Sequence, residues 1–104
     1  MRRVTVKVLL VGLTGSVVEA ARQQVEVPDV EGLGATGIND VREVFGRMKV
    51  DHVVMGAGLD LADRIEIVHE VFTLSDETTV HMKDRASGPD GFLPFVRSLV
   101  TALA

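Results

Sequence analysis

Two glycine-rich turns contain the residues of this sequence that are best suited to bind a small ligand. Residues 12–16 read GLTGS and residues 56–60 read GAGLD, and each turn follows an apolar run. Glycine lets a backbone approach an anion closely, and the amides at the start of a helix favour negative charge. Either turn could therefore hold a phosphate, although neither has the spacing of the P-loop or of the dinucleotide fingerprint. The alternative is that the glycines only allow tight turns between strand and helix.

A charged segment, Lys83-Asp84-Arg85, follows the last strand-like run and would supply positive charge to a phosphorylated ligand. The alternative for this segment is a solvated turn whose charges pair with one another. Asp60 also has a structural explanation, because aspartate is preferred at the position that caps a helix. The candidate ligand-binding residues are Gly12, Thr14, Gly15, Ser16, Gly56, Gly58, Asp60, Lys83 and Arg85.

The sequence lacks the common patterns of catalytic and metal-binding sites. It has no cysteine, and its serines are outside the Gly-x-Ser-x-Gly context of a hydrolase nucleophile. His52 and His81 belong to strands that should be neighbours, but a metal site would need a third ligand. We therefore predict no catalytic residue and no metal site. The sequence indicates no particular cofactor and favours a protein that is not an enzyme.

Composition predicts one globular domain that spans residues 1–104. Hydrophobic residues make up 46% of the chain and charged residues 25%, which suits a compact core.

The chain has 15 acidic and 11 basic residues and a net charge of -4, so we do not expect nucleic acid as a partner. The first apolar run is too short to span a bilayer, so we expect no membrane association. A chain without cysteine is compatible with the cytoplasm.

Strand-like and helix-like segments alternate four times along the chain. Strands are predicted at residues 4–11, at residues 30–36, from residue 52, and at residues 78–82. Helices are predicted from Ser16 to about Gln24 with Ser16 and Glu19 as a capping box, from Asn39 or Asp40, after Asp60, and near Pro89. This alternation predicts an α/β fold, a three-layer, doubly wound parallel sheet of four strands in the order 2-1-3-4.

Apolar spacing predicts one buried face for each of the later helices. The second helix would bury Val41, Val44, Phe45 and Met48, the third Leu61, Ile65, Val68 and Phe72, and the last Phe92, Val96, Leu99 and Leu103. In an open parallel sheet, ligands bind beyond the carboxyl ends of the strands where the strand order reverses. The two glycine turns and the charged segment should meet at that rim.

This layout resembles the receiver domains of bacterial response regulators, which have a flavodoxin-like fold. The likeness includes the apolar first strand, the segment DHVVMG at residues 51–56 and a closing amphipathic helix. The resemblance implies an acidic pair after strand one and a phosphate-accepting aspartate at the end of strand three. Here Gly12 and Leu13 stand at the first two positions and Gly56 at the third. Lys83 matches the lysine of that family if one strand–helix unit is missing.

A weaker resemblance, from residue 30 to residue 83, is to cobalamin-binding domains. These domains use glycine-rich strand ends to accept the nucleotide tail of their cofactor. Their Asp-x-His-x-x-Gly motif would follow strand one, where this chain has GLTGS. The resemblance therefore does not imply cobalt ligation.

These observations favour a non-catalytic, receiver-like module for protein interaction or regulation. Apolar residues lie on more than one side of the last helix, which favours a protein partner or a homodimer formed through that helix. The alternative is that the core needs all of them. The alternative function is the binding of a small phosphorylated ligand, a nucleotide or a cofactor by the glycine turns.

Overall fold

Four strands form one sheet, and a helix follows each strand. The computed structural model describes residues 5–25, 27–56, 58–83 and 91–103. The strands are β1 (Val6–Val11), β2 (Val30–Ala35), β3 (His52–Met55) and β4 (Thr79–Met82). The helices are α1 (Gly15–Gln23), α2 (Ile38–Arg47), α3 (Leu61–Leu74) and α4 (Phe92–Leu103).

All neighbouring strands of the sheet are parallel. β1 pairs with β2 on one side and with β3 on the other, and β4 pairs with β3. The resulting order, β2-β1-β3-β4, confirms the predicted fold class and strand order. β2 and β4 are therefore the two edge strands of the sheet.

Apolar side chains cover both faces of the sheet. Successive residues of β1 point to opposite faces, so Leu9 and Val11 join a cluster with α2 and α3, whereas Val8 and Leu10 join a cluster with α1 and α4. All four side chains are fully buried. A strand at the centre of a parallel sheet needs this continuous apolar run, because helices cover it from both sides.

The predicted capping box of the first helix is not formed. Helix α1 begins at Gly15, and Thr14 is its N-cap without a side-chain capping bond. Glu19 instead accepts hydrogen bonds from Arg22 Nε at 3.1 Å and Arg22 Nη2 at 3.0 Å. Because Ser16 already lies inside the first turn, it cannot occupy the capping position that the box requires.

The second helix begins slightly earlier than predicted. Gly37 is the N-cap of α2, so Asp40 lies in the first turn rather than at the cap. Its Oδ2 atom accepts hydrogen bonds from Thr36 N at 3.1 Å and Thr36 Oγ1 at 3.0 Å. Asp40 therefore still stabilises the start of the helix, by reaching back to the residue that precedes the cap. The predicted buried residues Val41 and Val44 are confirmed.

The predicted buried face of the third helix is wrong except at Val68, which is partly buried and packs against the core. Ile67 and Val71 are the buried residues of α3, whereas Leu61, Ile65 and Phe72 are exposed. The apolar spacing that predicts the buried face does not include Ile67 or Val71. The orientation of this helix therefore depends on tertiary packing.

The last strand and helix agree with the prediction in the described residues. β4 begins at Thr79, and the preceding Thr78 is buried with its Oγ1 atom donating to Val50 O at 2.7 Å. Phe92 and Val96 of α4 are buried as expected, and Val100 joins them. Pro89, predicted near the start of this helix, lies outside the described residues. Among the described residues, no helix has the length and apolarity needed to cross a membrane.

Close packing of α1 on β2 gives a test of this arrangement. A methyl group on Gly34 would lie 2.5 Å from Val18 Cγ1, and Val18 is a stiff, buried side chain. We expect Gly34→Ala to lower the free energy of unfolding by about 1–3 kcal/mol, measured by urea denaturation.

Gly46→Ala is the matched control, because a methyl group there has open space and lies inside α2. It should be neutral or should stabilise the protein by up to about 1 kcal/mol. Equal effects of the two substitutions would contradict the packing of α1 against β2.

Candidate functional site

Gly12 and Gly56, two of the predicted site residues, are buried at the strand ends. Their amides donate to Ala35 O and Val11 O, each at 3.1 Å, and so extend the hydrogen bonding of the sheet. A methyl group on Gly12 would lie 3.0 Å from Val18 Cγ2, and one on Gly56 would lie 3.3 Å from the Phe92 ring. Close helix packing therefore explains both glycines, and neither amide is available to a ligand.

The rest of the first turn is open to solvent. Thr14 Oγ1 and Ser16 Oγ lie 3.4 Å apart at the start of α1, and both residues are exposed. A side chain at Gly15 would meet no atom within 4 Å. Helical hydrogen bonding begins with Val18 N, which donates to Thr14 O at 3.1 Å. The two hydroxyls and the preceding amides are the groups at this rim that suit an anion.

The second glycine turn lies against the first, as expected for turns that follow neighbouring parallel strands. A methyl group on Gly58 would lie 3.6 Å from Leu13 Cβ. Asp60 is the N-cap of α3, which confirms its predicted position, but its carboxylate makes no capping hydrogen bond. Asp60 O accepts the first helical bond from Arg64 N at 3.0 Å.

Lys83 lies at the same rim but is not displayed to solvent. Its residue surface is only 4% exposed, and its amide donates to Met55 O at 2.9 Å. The sequence predicts that this lysine belongs to a charged loop that is open to solvent at the rim. The structure shows instead that it is buried. Arg85, the other predicted cation, lies outside the described residues.

A cleft of about 210 Å³ opens at the rim between α2 and α3. Besides Leu13, Leu59 and Ile67, its lining includes the carboxylates of Asp63 and Glu66. Two acidic side chains repel a phosphate, so this cleft does not have the chemistry that the sequence predicts for the rim. Sequence analysis missed Asp63 and Glu66, although their spacing of three residues puts them on one side of a helix.

Two histidines are joined through a threonine at the amino-terminal end of β4. His52 Nδ1 is hydrogen-bonded to Thr79 Oγ1, which also lies 3.1 Å from His81 Nε2. The two rings are 5.9 Å apart between centroids. Partial burial lowers the pKa of His52 and the charge of His81 lowers it further, whereas Asp51 acts in the opposite direction. Among the described residues, no group of three or more side chains is arranged to hold a metal ion.

Exposed apolar side chains gather on α3 and the adjoining end of β4. Leu61 is 59% exposed, Ile65 58%, Phe72 53% and Met82 48%. We call these four residues the α3–β4 surface. Large apolar side chains that are exposed together are typical of interaction sites, because covering them removes apolar area from water.

The α3–β4 surface faces away from the rest of the helical layer. Glu70 of α3 binds Arg42 of α2, with Oε1 to Nε at 3.1 Å. A helix turns about 100° per residue, so Leu61 and Phe72 lie about 180–200° around the helix from Glu70. Ile67 and Val71 face the sheet between these two sides. The exposed stripe therefore points past β4, over the open edge of the sheet.

As far as its side chains are described, up to residue 102, the last helix does not carry the exposed apolar surface on which its predicted role depends. Its residues Leu93, Phe95 and Leu99 are partly buried and pack against the core cluster of Phe92 and Val96. The large apolar residues that are exposed in the described part of the chain include four from α3 and none from α4. Partner binding through α4 stays a prediction, and the exposed apolar area lies elsewhere.

Comparison with known proteins gives no relative from which a function could be transferred, because no family model and no curated protein matches the chain. The resemblance to receiver domains therefore rests on layout alone.

The histidine pair makes a prediction about pH. Because the pKa of His52 is lowered in the folded state, the unfolded chain binds the proton more readily. The contribution of His52 to stability is complete above the ordinary histidine pKa of about 6.5 and falls as the pH drops below it. We expect His52→Gln to reduce the loss of unfolding free energy between neutral pH and mildly acidic pH.

Urea denaturation at both pH values measures this difference. His69→Gln, at an exposed position of α3, is the control and should keep the parental pH dependence. If His52→Gln loses as much stability on acidification as the parent does, the pKa of His52 is not lowered by its surroundings in the folded state.

Proposed function

We propose that this chain is a non-catalytic, receiver-like protein-interaction module that binds its partner through the α3–β4 surface. The observation that carries the proposal is the exposed apolar stripe of α3, which lies beside an edge strand. Leu61, Ile65 and Phe72 are each more than half exposed on a helix whose other side packs normally. A partner that covers them would gain the free energy of burying their apolar area.

The strand ends support a module that does not transfer phosphoryl groups. In the receiver-like alignment Gly56 stands at the phosphate-accepting position, and it has no side chain. The Phe92 ring packs against it, so a larger residue there would have to displace this ring. Gly12 and Leu13 stand where the resemblance implies acidic residues, and neither can hold a cation. Those three positions therefore serve packing and turn formation in this chain.

Binding of a small phosphorylated ligand is the second candidate function. The paired hydroxyls of Thr14 and Ser16 at the start of α1 favour it, whereas Asp63 and Glu66 in the nearby cleft oppose it. Titration with inorganic phosphate, followed through the amide NMR signals of residues 15–17, separates the two functions. Saturable shifts that Thr14→Val abolishes would favour the ligand. The interaction module predicts that none occur.

Site-specific cross-linking tests the interaction function directly. The chain has no cysteine, so Ile65→Cys can be labelled at a single position with a photoreactive maleimide. We expect irradiation in an extract of the native host to give a discrete protein adduct, because Ile65 lies in the α3–β4 surface. The adduct should disappear when Phe72→Asp is added, since this change places a charge in the surface.

Val17→Cys provides the matched control, because Val17 is also an exposed apolar residue but lies on α1. It should give no such adduct. Labelling at position 65 that yields no adduct, or an adduct that Phe72→Asp leaves unchanged, would contradict the interaction function.

A further inference from the structure

We propose that the partner of the α3–β4 surface is a second copy of this chain, bound by antiparallel pairing of the two β4 strands across a twofold axis. This inference rests on the proposed function, because it names the partner of the same surface. The paired subunits would form one sheet of eight strands, with β4 of each copy at its centre.

The backbone of β4 has an outer row of hydrogen-bonding groups. Thr79 N donates to Asp51 O at 3.1 Å and Lys83 N donates to Met55 O at 2.9 Å, so both amides face β3. Because alternate residues of a strand point their backbone groups to opposite sides, those of Val80 and Met82 face outward. No backbone partner for Val80 or Met82 lies within the described residues. An unpaired row of this kind is a template for another strand.

The charges at the two edges of the sheet favour β4 as the pairing edge. On β2, Glu31 binds Lys7, and Arg22 and Arg47 line the groove that crosses this edge. Charged side chains on an edge strand hinder pairing with another strand. β4 reads TVHM and has no acidic side chain, no lysine and no arginine. The β4 strands of two copies can therefore pair without bringing charged side chains of the strand itself together.

The helices also fit the twofold arrangement. α3 packs on the face that carries Val53 of β3 and Val80 of β4. In the paired sheet the two α3 helices would be separated by two strand spacings, which is about 10 Å. Helices in contact pack at about that distance. Because the exposed stripe of α3 points past β4, the stripes of the two copies would meet and bury each other.

The register follows from the outward-facing residues. An antiparallel pairing that satisfies the outward backbone groups of both Val80 and Met82 is centred on His81. Val80 of each copy then exchanges hydrogen bonds with Met82 of the other. His81 would then lie opposite itself in a pair that is not hydrogen-bonded. Cβ atoms in such pairs are about 4.5–5.5 Å apart, close enough for a disulfide after a small adjustment.

Sedimentation equilibrium of the full chain tests the dimer. We expect the mass to approach twice the 11.2 kDa of one chain as the concentration rises. Met82→Glu and Ile65→Glu should each raise the dissociation constant of the dimer more than about tenfold, because they place charges in its centre. Val17→Glu, an exposed substitution on α1, should leave that constant unchanged. Circular dichroism of each variant verifies that the monomer still folds.

Oxidation of single-cysteine variants tests the register. His81→Cys should form a disulfide-linked dimer in high yield, whereas Val17→Cys should not. A purified chain that stays monomeric up to millimolar concentration would overturn the inference. A dimer that is unaffected by Met82→Glu and by Ile65→Glu, or one that His81→Cys does not cross-link, would overturn it as well.

The outcomes separate this inference from the proposed function. If the purified chain is monomeric but the Ile65 probe still gives an adduct with a different protein, the second copy is excluded and the interaction function stands. If that probe gives no adduct with any protein, including this chain, both proposals fail.

Discussion

A sheet that does not close on itself always leaves two edges, and this constraint shapes the whole molecule. With four strands and two helices on each face, β1 and β3 are paired on both sides, while β2 and β4 each have a strand partner on one side only in the described part of the chain. Charged residues surround the open side of β2. Strand β4 itself has only uncharged residues and lies below the exposed stripe of α3. The surface to which we assign a partner therefore lies where the sheet ends.

The same parallel arrangement brings all strand ends to one rim, and packing occupies part of that rim. Gly12 and Gly56 allow helices to approach closely, Lys83 is buried, and the cleft between α2 and α3 is acidic. Five of the predicted ligand-binding residues in the described ranges remain exposed, namely Thr14, Gly15, Ser16, Gly58 and Asp60. The interaction surface that we propose lies elsewhere on the domain, on α3 and β4.

The fold is predicted well from the sequence because the patterns of strands and helices remain recognisable even when the predicted ends of an element are slightly misplaced. Apolar runs ending at glycine mark β1 and β3, and their alternation with amphipathic helices indicates a parallel sheet, whose predicted order is the one observed. The orientation of α3 could not be predicted, because Ile67 and Val71 form a stripe as apolar as that of Leu61, Ile65 and Phe72. The burial of Lys83 likewise depends on tertiary packing, which leaves no local pattern in the sequence. The candidate interface was not predicted from the sequence, because the stripe of Leu61, Ile65 and Phe72 was assigned to the core.

The most direct test of the account is amide hydrogen exchange along β4 as a function of protein concentration. The account predicts that the amides of Val80 and Met82 exchange slowly in concentrated protein and quickly on dilution, because only a second strand covers them. The amides of Thr79 and Lys83, which donate to β3, should stay protected throughout. Protection of Val80 and Met82 that does not change with concentration would contradict an edge that is open in one subunit and covered by another.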